Sequence, residues 1–373
     1  MRVALLKKEI IALASLALCV FSTGRAQAES EGKMVFAIDV IRHGDRGPIM
    51  DLASAPHKWP QGLGQLTPEG MNQEYQLGKK FHERYIEKEH LLPEKFDVNT
   101  MYVRASDIDR TLMSAECTLL GLYPMGTGPT TDAGTQGAPA RFQPIPIHTR
   151  PRDMDDLLVP DANKGVPKIY DDYVFNTSEW KDRIAKESVN FEHWGKLAGY
   201  PITTPRQMSG LGDAIFIRKT HHVPMPEGMT DEDAKKMMEF GEWVFAETFK
   251  PAEVGQVTGG NLLKAIATYF DESSKNKPDA KLKYVLFSAH DSTISAVLSA
   301  MKAPTKVRPP YSSDLNFALL KKGDDYSVKV TLNDVPVDFP GSTNGVSSLE
   351  KFAALAPAKS TEKSQPRPAT DIK

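Results

Sequence analysis

Cysteine is almost missing from this chain of 373 residues, Cys19 and Cys117 being the only two. Long apolar stretches are lacking as well: the run Ile10 to Phe21 covers 12 residues, short of the ~20 that a membrane-spanning helix needs, and no later segment comes closer. Neither sign of charge dominates, with 46 basic residues against 48 acidic, and no internal repeat is present. A surface of that balance argues against nucleic acid as the main partner. Forty per cent hydrophobic and 25% charged residues exclude a disordered or fibrous chain and leave a globular one with a sizeable core.

The first 28 residues explain part of this. Arg2, Lys7 and Lys8 precede the apolar run, and Ala26-Gln27-Ala28 supplies a small-residue cleavage pattern, so 1–28 reads as a secretory signal with the mature chain starting near Glu29. Cys19 as a lipid-attachment site is disfavoured by the large Leu18 before it. The mature chain then carries 42 basic and 47 acidic residues, a formal charge of −5. It keeps Cys117 alone, so no intramolecular disulfide can form, although the export route would permit one.

What the sequence does hold is polar chemistry at the ends of buried strands. Met34 to Ile41 is nearly continuous in apolar residues, as in a strand covered on both faces, and it runs into Arg42-His43-Gly44-Asp45-Arg46-Gly47-Pro48. Arginine forks pair with phosphate oxygens two at a time and keep their charge, and glycine beside a histidine admits close approach. Thr67-Pro68-Glu69 opens a helix with a cap, a proline at the first position and an early acid; Met71, Tyr75, Gly78, His82 and Tyr85 form its expected packed stripe.

A second strand, Thr100 to Val103, ends in Arg104. Ser106 with Asp109 fits a capping box for the next helix, whose stripe is Leu112, Ala115, Leu119 and Leu122, with Cys117 as inert filler. A third, Tyr284 to Phe287, ends in Ser288-Ala289-His290-Asp291 before the helix Ile294 to Met301. Leu315 to Leu320 and Tyr326 to Leu332 read as a hairpin at a sheet edge. Between them, 151–255 is a mainly helical insertion; its His193, His221 and His222 are scattered and read as surface or packing residues, and Asn176-Thr177-Ser178 is a glycosylation sequon. The core is therefore 29–150 plus 256–356, and 357–373 is a disordered tail. The fold class is α/β, a mixed, largely parallel sheet flanked by helices with a smaller helical insert.

Arg42 to Pro48, Leu66 to Met71, Val103 to Ala115, Gln143 to Pro146 and Ser288 to Asp291 occur in the order in which the histidine acid phosphatases carry such segments, and the chain resembles that family, particularly its prostatic and lysosomal branch and secreted bacterial relatives. It departs from the family at Gly47, where Ser or Thr often stands, and in lacking the paired cysteines of the animal enzymes. The resemblance implies a two-domain fold with His43 as nucleophile, Asp291 as acid, and Arg42, Arg46, Arg104 and His290 holding the phosphoryl group. It implies no cofactor and no metal, since the arginines supply the positive charge. Expected substrates are small phosphate monoesters, with phosphorylated peptides or lipids and a homodimer left open, and the expected location is secreted or periplasmic. A phytase of the same superfamily, a phosphoglycerate mutase sharing Arg-His-Gly, and an inactive phosphate-ester binding protein are the competing readings; export and the insertion disfavour the mutase, and the full set of candidate catalytic residues disfavours the binding protein.

Overall fold

The computed structural model describes residues 32–275 and 281–357; the expected leader and all but the first residue of the expected tail lie outside these. The strands are β1 Lys33–Arg42, β2 Met101–Ala105, β3 Tyr284–Ala289, β4 Asp314–Lys322, β5 Asp325–Leu332, β6 Val335–Pro336 and β7 Val346–Ser348. The helices are α1 Pro68–Phe81, α2 Asp109–Leu122, α3 Val166–Tyr170, α4 Ser178–Ala198, α5 Pro205–Thr220, α6 Asp231–Thr248, α7 Ala252–Thr258, α8 Gly260–Ser274, α9 Asp291–Ala300 and α10 Leu349–Ala353.

Seven strands form one mixed sheet in the order β2-β3-β1-β4-β5-β6, with β7 also on β5. Two pairings, β2–β3 and β3–β1, are parallel and the other four are antiparallel, so the sheet is mixed but not largely parallel as expected. The expected hairpin is β4–β5, but β4 pairs with β1 inside the sheet rather than at its edge. The parallel register puts Arg42 beside Ala289 and Ala105 beside Ser288. All three polar strand ends therefore reach one edge, where open α/β sheets bind ligands.

Side-chain alternation covers both faces of β1. Ala37 and Ile41 pack with Tyr284 and Leu286 of β3 under Leu77 and Phe81 of α1 and Leu119 and Leu122 of α2. Phe36, Ile38 and Val40 face the opposite way, onto Leu262, Ile266 and Phe270 of α8, Ile294 and Leu298 of α9 and Phe352 of α10. The helices α4 to α6 share a core of their own, with Trp180, Trp194, Leu211, Met237 and Phe240 at its centre.

Helix α1 begins as its sequence demands: Pro68 is the first residue and the Thr67 hydroxyl accepts from Gly70 N at 3.1 Å. Its buried face is Gly70, Glu74, Leu77, Gly78 and Phe81, so the expected stripe through Met71 and Tyr75 is displaced by about one residue. Backbone packing decides this. A Cβ on Gly78 would stand 2.0 Å from Thr118 O, and one on Gly70 2.2 Å from Asp45 O, so α1 turns its glycines toward α2 and the Arg42 loop. His82, on the expected stripe, lies at the end of α1, with its ring Nδ1 2.7 Å from Leu122 O.

Candidate active site

His43 and Arg42 leave β1 fully covered, and Gly44 follows because α1 lies against it: a Cβ there would meet Gly70 O at 2.4 Å. The glycine next to the histidine thus serves helix packing. Gly47 is crowded too, since a Cβ at that position would come within 3.1 Å of Gly62 O and 3.6 Å of the Trp59 ring.

Nδ1 of His43 lies 2.8 Å from Gly44 O, and a carbonyl can only accept, so Nδ1 carries the proton and Nε2 keeps a lone pair. Burial, then the charges of Arg110, Arg42 and Arg46, hold the imidazole pKa well below 6.5. His43 is therefore a neutral base and nucleophile inside a positive field.

The arginines differ in how they are compensated. Arg42 donates to Pro309 O at 2.5 Å and pairs with Asp291 at 3.0 Å, its guanidinium stacked 4.1 Å from the centre of the Tyr311 ring. Arg46 makes a two-pronged pair with Asp213 of α5 at 2.9 and 3.2 Å. Arg308, from the loop before β4, reaches Asp291 at 3.1 Å, Glu242 at 3.0 Å and Ser209 Oγ at 2.9 Å. Arg110, in the first turn of α2, makes no ion pair among the described residues. It donates at long range to Gly64 O (3.5 Å) and faces His290 Nδ1 (3.4 Å). Burial and then Arg46 lower its pKa to about 10, the mark of a cation short of anionic partners. Arg42, Arg46 and Arg110 each keep a buried Nε with no hydrogen-bond partner.

Arg104, expected in the phosphoryl site, is not there. Its guanidinium is buried against Asp155, whose Oδ1 also accepts from Leu158 N at 3.1 Å, and it does not line the cleft that holds His43, Arg46, Arg110, His290, Asp291 and Arg308. Arg110 lines that cleft instead. The expected capping box fails with it: α2 starts at Asp109 without a side-chain cap, and the Ser106 hydroxyl instead meets Thr111 and His290, each at 2.9 Å.

His290 follows β3 and stands at the N-cap of α9, its ring edge-on to His43 with centroids 5.6 Å apart. Burial and then Arg110 lower its pKa to about 3. Asp291 opens α9 and accepts from Ser292 N at 2.7 Å. Burial alone would raise its pKa, but Arg42 and Arg308 outweigh that and pull it well below 3.8. The cleft encloses about 340 Å³ and continues past these groups between Ile49, Val159, Phe175, Val244, Phe245 and Phe249.

Sequence reasoning missed Arg110, Arg308, Asp213 and Tyr311. Arg110 had a signal: a cation in the first turn of a helix opposes the helix dipole and so marks a place for an anion. The other three come together only through tertiary contacts. Of the scattered histidines, His221 packs on Trp59 and its Nε2 lies 2.8 Å from Asp45 Oδ2, which also accepts from the Thr67 hydroxyl at 2.5 Å. Asp45, Glu69 and His221 are the group among the described residues that could hold a metal ion, their ligand atoms lying within 4.8 Å of one another. They line a second cavity together with Arg42 and Tyr311, which shares Asp213 and Arg308 with the His43 cleft.

A cluster of guanidiniums around a neutral histidine at the edge of a mixed sheet defines a phosphate-ester site on an α/β fold. The sequence pattern of the histidine phosphatase superfamily (branch 2) matches residues 33–333, and the chain belongs to that family. It is 32% identical to human testicular acid phosphatase over 364 residues, covering 89% of this chain and 81% of that one. Identity to bovine prostatic acid phosphatase is 31% over 334 residues, 86% and 84% of the two chains. Among solved structures, the apo phytase of Hafnia alvei superposes with a TM-score of 0.65 at 17% identity, over 88% of this chain and 97% of that one. The phytase of Citrobacter braakii gives 0.64 at 15% identity, with 87% and 97% covered. These two likenesses concern the fold. The acid phosphatase relatives make the protein a phosphomonoester hydrolase, a histidine phosphatase.

Proposed function

We propose that the protein is an exported acid phosphatase that works through a phosphohistidine at His43, with Arg110 in the role first expected of Arg104. The observation that carries this reading is Arg110: a largely buried guanidinium without a carboxylate ion-pair partner among the described residues, lining the same cleft as His43, is a standing demand for an anion. In the first step His43 Nε2 attacks phosphorus as the bond to the ester oxygen breaks. Arg42, Arg46 and Arg110 match the charge on the non-bridging oxygens. The leaving oxygen takes a proton from Asp291. In the second step water attacks the phosphohistidine, Asp291 takes the proton from that water, and the P–N bond breaks to release phosphate.

Asp291 must be protonated to act first, yet in the ligand-free site its arginines hold it ionised. The entering ester resolves this. Its oxygens compete for Arg42, and a monoanionic ester brings the proton that Asp291 takes up beside the new negative charge. Acidic media favour that ester form, while the depressed pKa of His43 keeps the nucleophile neutral there.

The cleft beyond these groups combines apolar walls with Arg152 and Arg206, a lining that fits a phosphate ester whose leaving group is partly apolar and that accommodates further negative charge. Phosphorylated peptides and lipids fall within that class. No helix among the described residues is long and apolar enough to cross a membrane. The test is turnover at acidic pH, after dialysis against a chelator, of a nitrophenyl phosphate and of myo-inositol hexakisphosphate side by side. Fast hydrolysis of the aryl ester is expected. No hydrolysis of any ester, or activity restored only by one divalent ion, would overturn the reading.

A further inference from the structure

The two histidines of the site are held in opposite tautomers, and for His290 the assignment runs through two hydroxyls. Thr111 Oγ1 lies 2.8 Å from Ser106 O and 2.7 Å from Ile108 O. Carbonyl oxygens only accept, so the Thr111 proton is committed to them, the usual back-bonding of a helical threonine. Ser106 Oγ, 2.9 Å from Thr111 Oγ1, therefore meets a lone pair there and donates its own proton to it. With that proton given away, Ser106 Oγ can only accept from His290 Nε2, also 2.9 Å distant. Nε2 of His290 thus carries the hydrogen and Nδ1 keeps a lone pair, and the donor that faces Nδ1 is Arg110 Nη2 at 3.4 Å.

We propose that the Ser106–Thr111 hydroxyl pair fixes His290 as the Nε2–H tautomer, so that its Nδ1 holds the Arg110 guanidinium in line with the phosphoryl group. Ser106 and Thr111 are then positioning residues that act on the phosphate site through His290 and Arg110. Both hydroxyls are fully buried, so water does not compete for these bonds. The relay is also anchored to the sheet: Ser106 N donates to Ser288 O at 3.1 Å, and Ser288 Oγ donates to Thr111 O at 2.7 Å. One relay ties the end of β3 to the first turn of α2, and with it the imidazole to the arginine beside it. His43, whose proton is on Nδ1, is the built-in contrast.

The value of the arrangement to catalysis rests on the phosphatase reading; the tautomer itself does not. The test is long-range proton–nitrogen correlation NMR on the full chain labelled with ¹⁵N-histidine, without ligand and with inorganic phosphate. The expected result is an Nε2–H pattern for His290 and an Nδ1–H pattern for His43 in the ligand-free protein. Thr111→Val frees the Ser106 proton to turn toward His290, so the ring should switch to Nδ1–H, which faces Arg110 donor to donor. Phosphate affinity should then fall roughly tenfold, as for loss of one hydrogen bond to a charged group, with Thr111→Ser restoring both tautomer and affinity. An Nδ1–H pattern for His290 in the wild type would overturn the proposal whatever the variants do. So would a Thr111→Val protein with tautomer and phosphate affinity unchanged. If no ester is hydrolysed, the spectra and phosphate binding still decide the tautomer, and only the catalytic reading falls.

Discussion

Asp291 meets two guanidiniums, Arg42 at 3.0 Å and Arg308 at 3.1 Å, through the same oxygen, Oδ2. A carboxylate so held would be a poor acid if nothing moved, and the chemistry depends on the substrate displacing one of those contacts. That gives a sharp expectation for Asp291→Asn. The amide cannot protonate a leaving group, so alkyl phosphates, which need that proton, should slow by about 10² to 10⁴, while nitrophenyl phosphate slows far less. Phosphate affinity should change little, because the arginines remain and an amide does not repel the anion. Single-turnover rates on the two esters measure the contrast. Equal slowing of both would remove Asp291 from acid catalysis and leave it the opening residue of α9.

At the scale of elements, the site is made by where helices begin. Arg104 stands one residue before the end of β2, close to the position that the sequence singles out, but Asp155 neutralises it. Arg110 stands six residues later, inside α2, its guanidinium facing His290 after β3. Exchanging each for alanine should separate the two roles. Arg104→Ala leaves a buried carboxylate unpaired and should lower stability by about 3 to 5 kcal/mol in urea melts, with kcat/KM of the folded fraction near wild type. Arg110→Ala should leave stability almost unchanged or improved, since it removes an uncompensated cation, and reduce kcat/KM by two orders of magnitude or so. The reverse pattern would restore Arg104 to the site.

The same comparison shows how much could be read beforehand. Arg42, His43, Arg46, His290 and Asp291 were legible because each sits within a few residues of an apolar run whose burial is unmistakable. Parallel pairing then carries all of them to one edge. Arg308 and Asp213 were not legible, since a loop before β4 and the middle of an inserted helix carry no local pattern that points to a cleft. The face of α1 was misread by one residue for a related reason: hydrophobic spacing favours Met71 and Tyr75, but glycine-to-backbone contacts with α2 and the Arg42 loop decide which side is buried.

At the scale of the whole molecule, buried titratable groups set a window of pH for folding. Glu74, enclosed between α1 and α2 with Thr118 donating to it at 3.0 Å, is pushed by burial up to about 8. Its native form holds a proton that the unfolded chain releases above 4.5, so its contribution is full below that pH and is lost as pH rises to 8. Asp314, raised by burial and by Asp39, acts in the same direction. His43 and His290 act oppositely. Their native forms stay neutral while the unfolded chain takes up protons below 6.5, so their contribution is present above 6.5 and is lost as pH falls, toward about 3 for His290. Stability should therefore be greatest between 4.5 and 6.5, where the two tendencies offset each other, and fall on either side. Urea denaturation across pH 4 to 9 measures it. Glu74→Gln should flatten the decline between 6.5 and 8, each pH unit of that arm being worth up to about 1.4 kcal/mol for one group. A decline that persists undiminished in Glu74→Gln would place its origin elsewhere.

The central claim is covalent chemistry at His43, and trapping tests it most directly. A ³²P-labelled ester is mixed with enzyme in excess, quenched in alkali, where a phosphoramidate bond to histidine survives, and digested for peptide mapping. The account predicts one labelled peptide, phosphorylated at Nε2 of His43, formed and lost at rates consistent with turnover and missing in His43→Ala. Label on any other residue, or label retained by His43→Ala at the wild-type level, would contradict it.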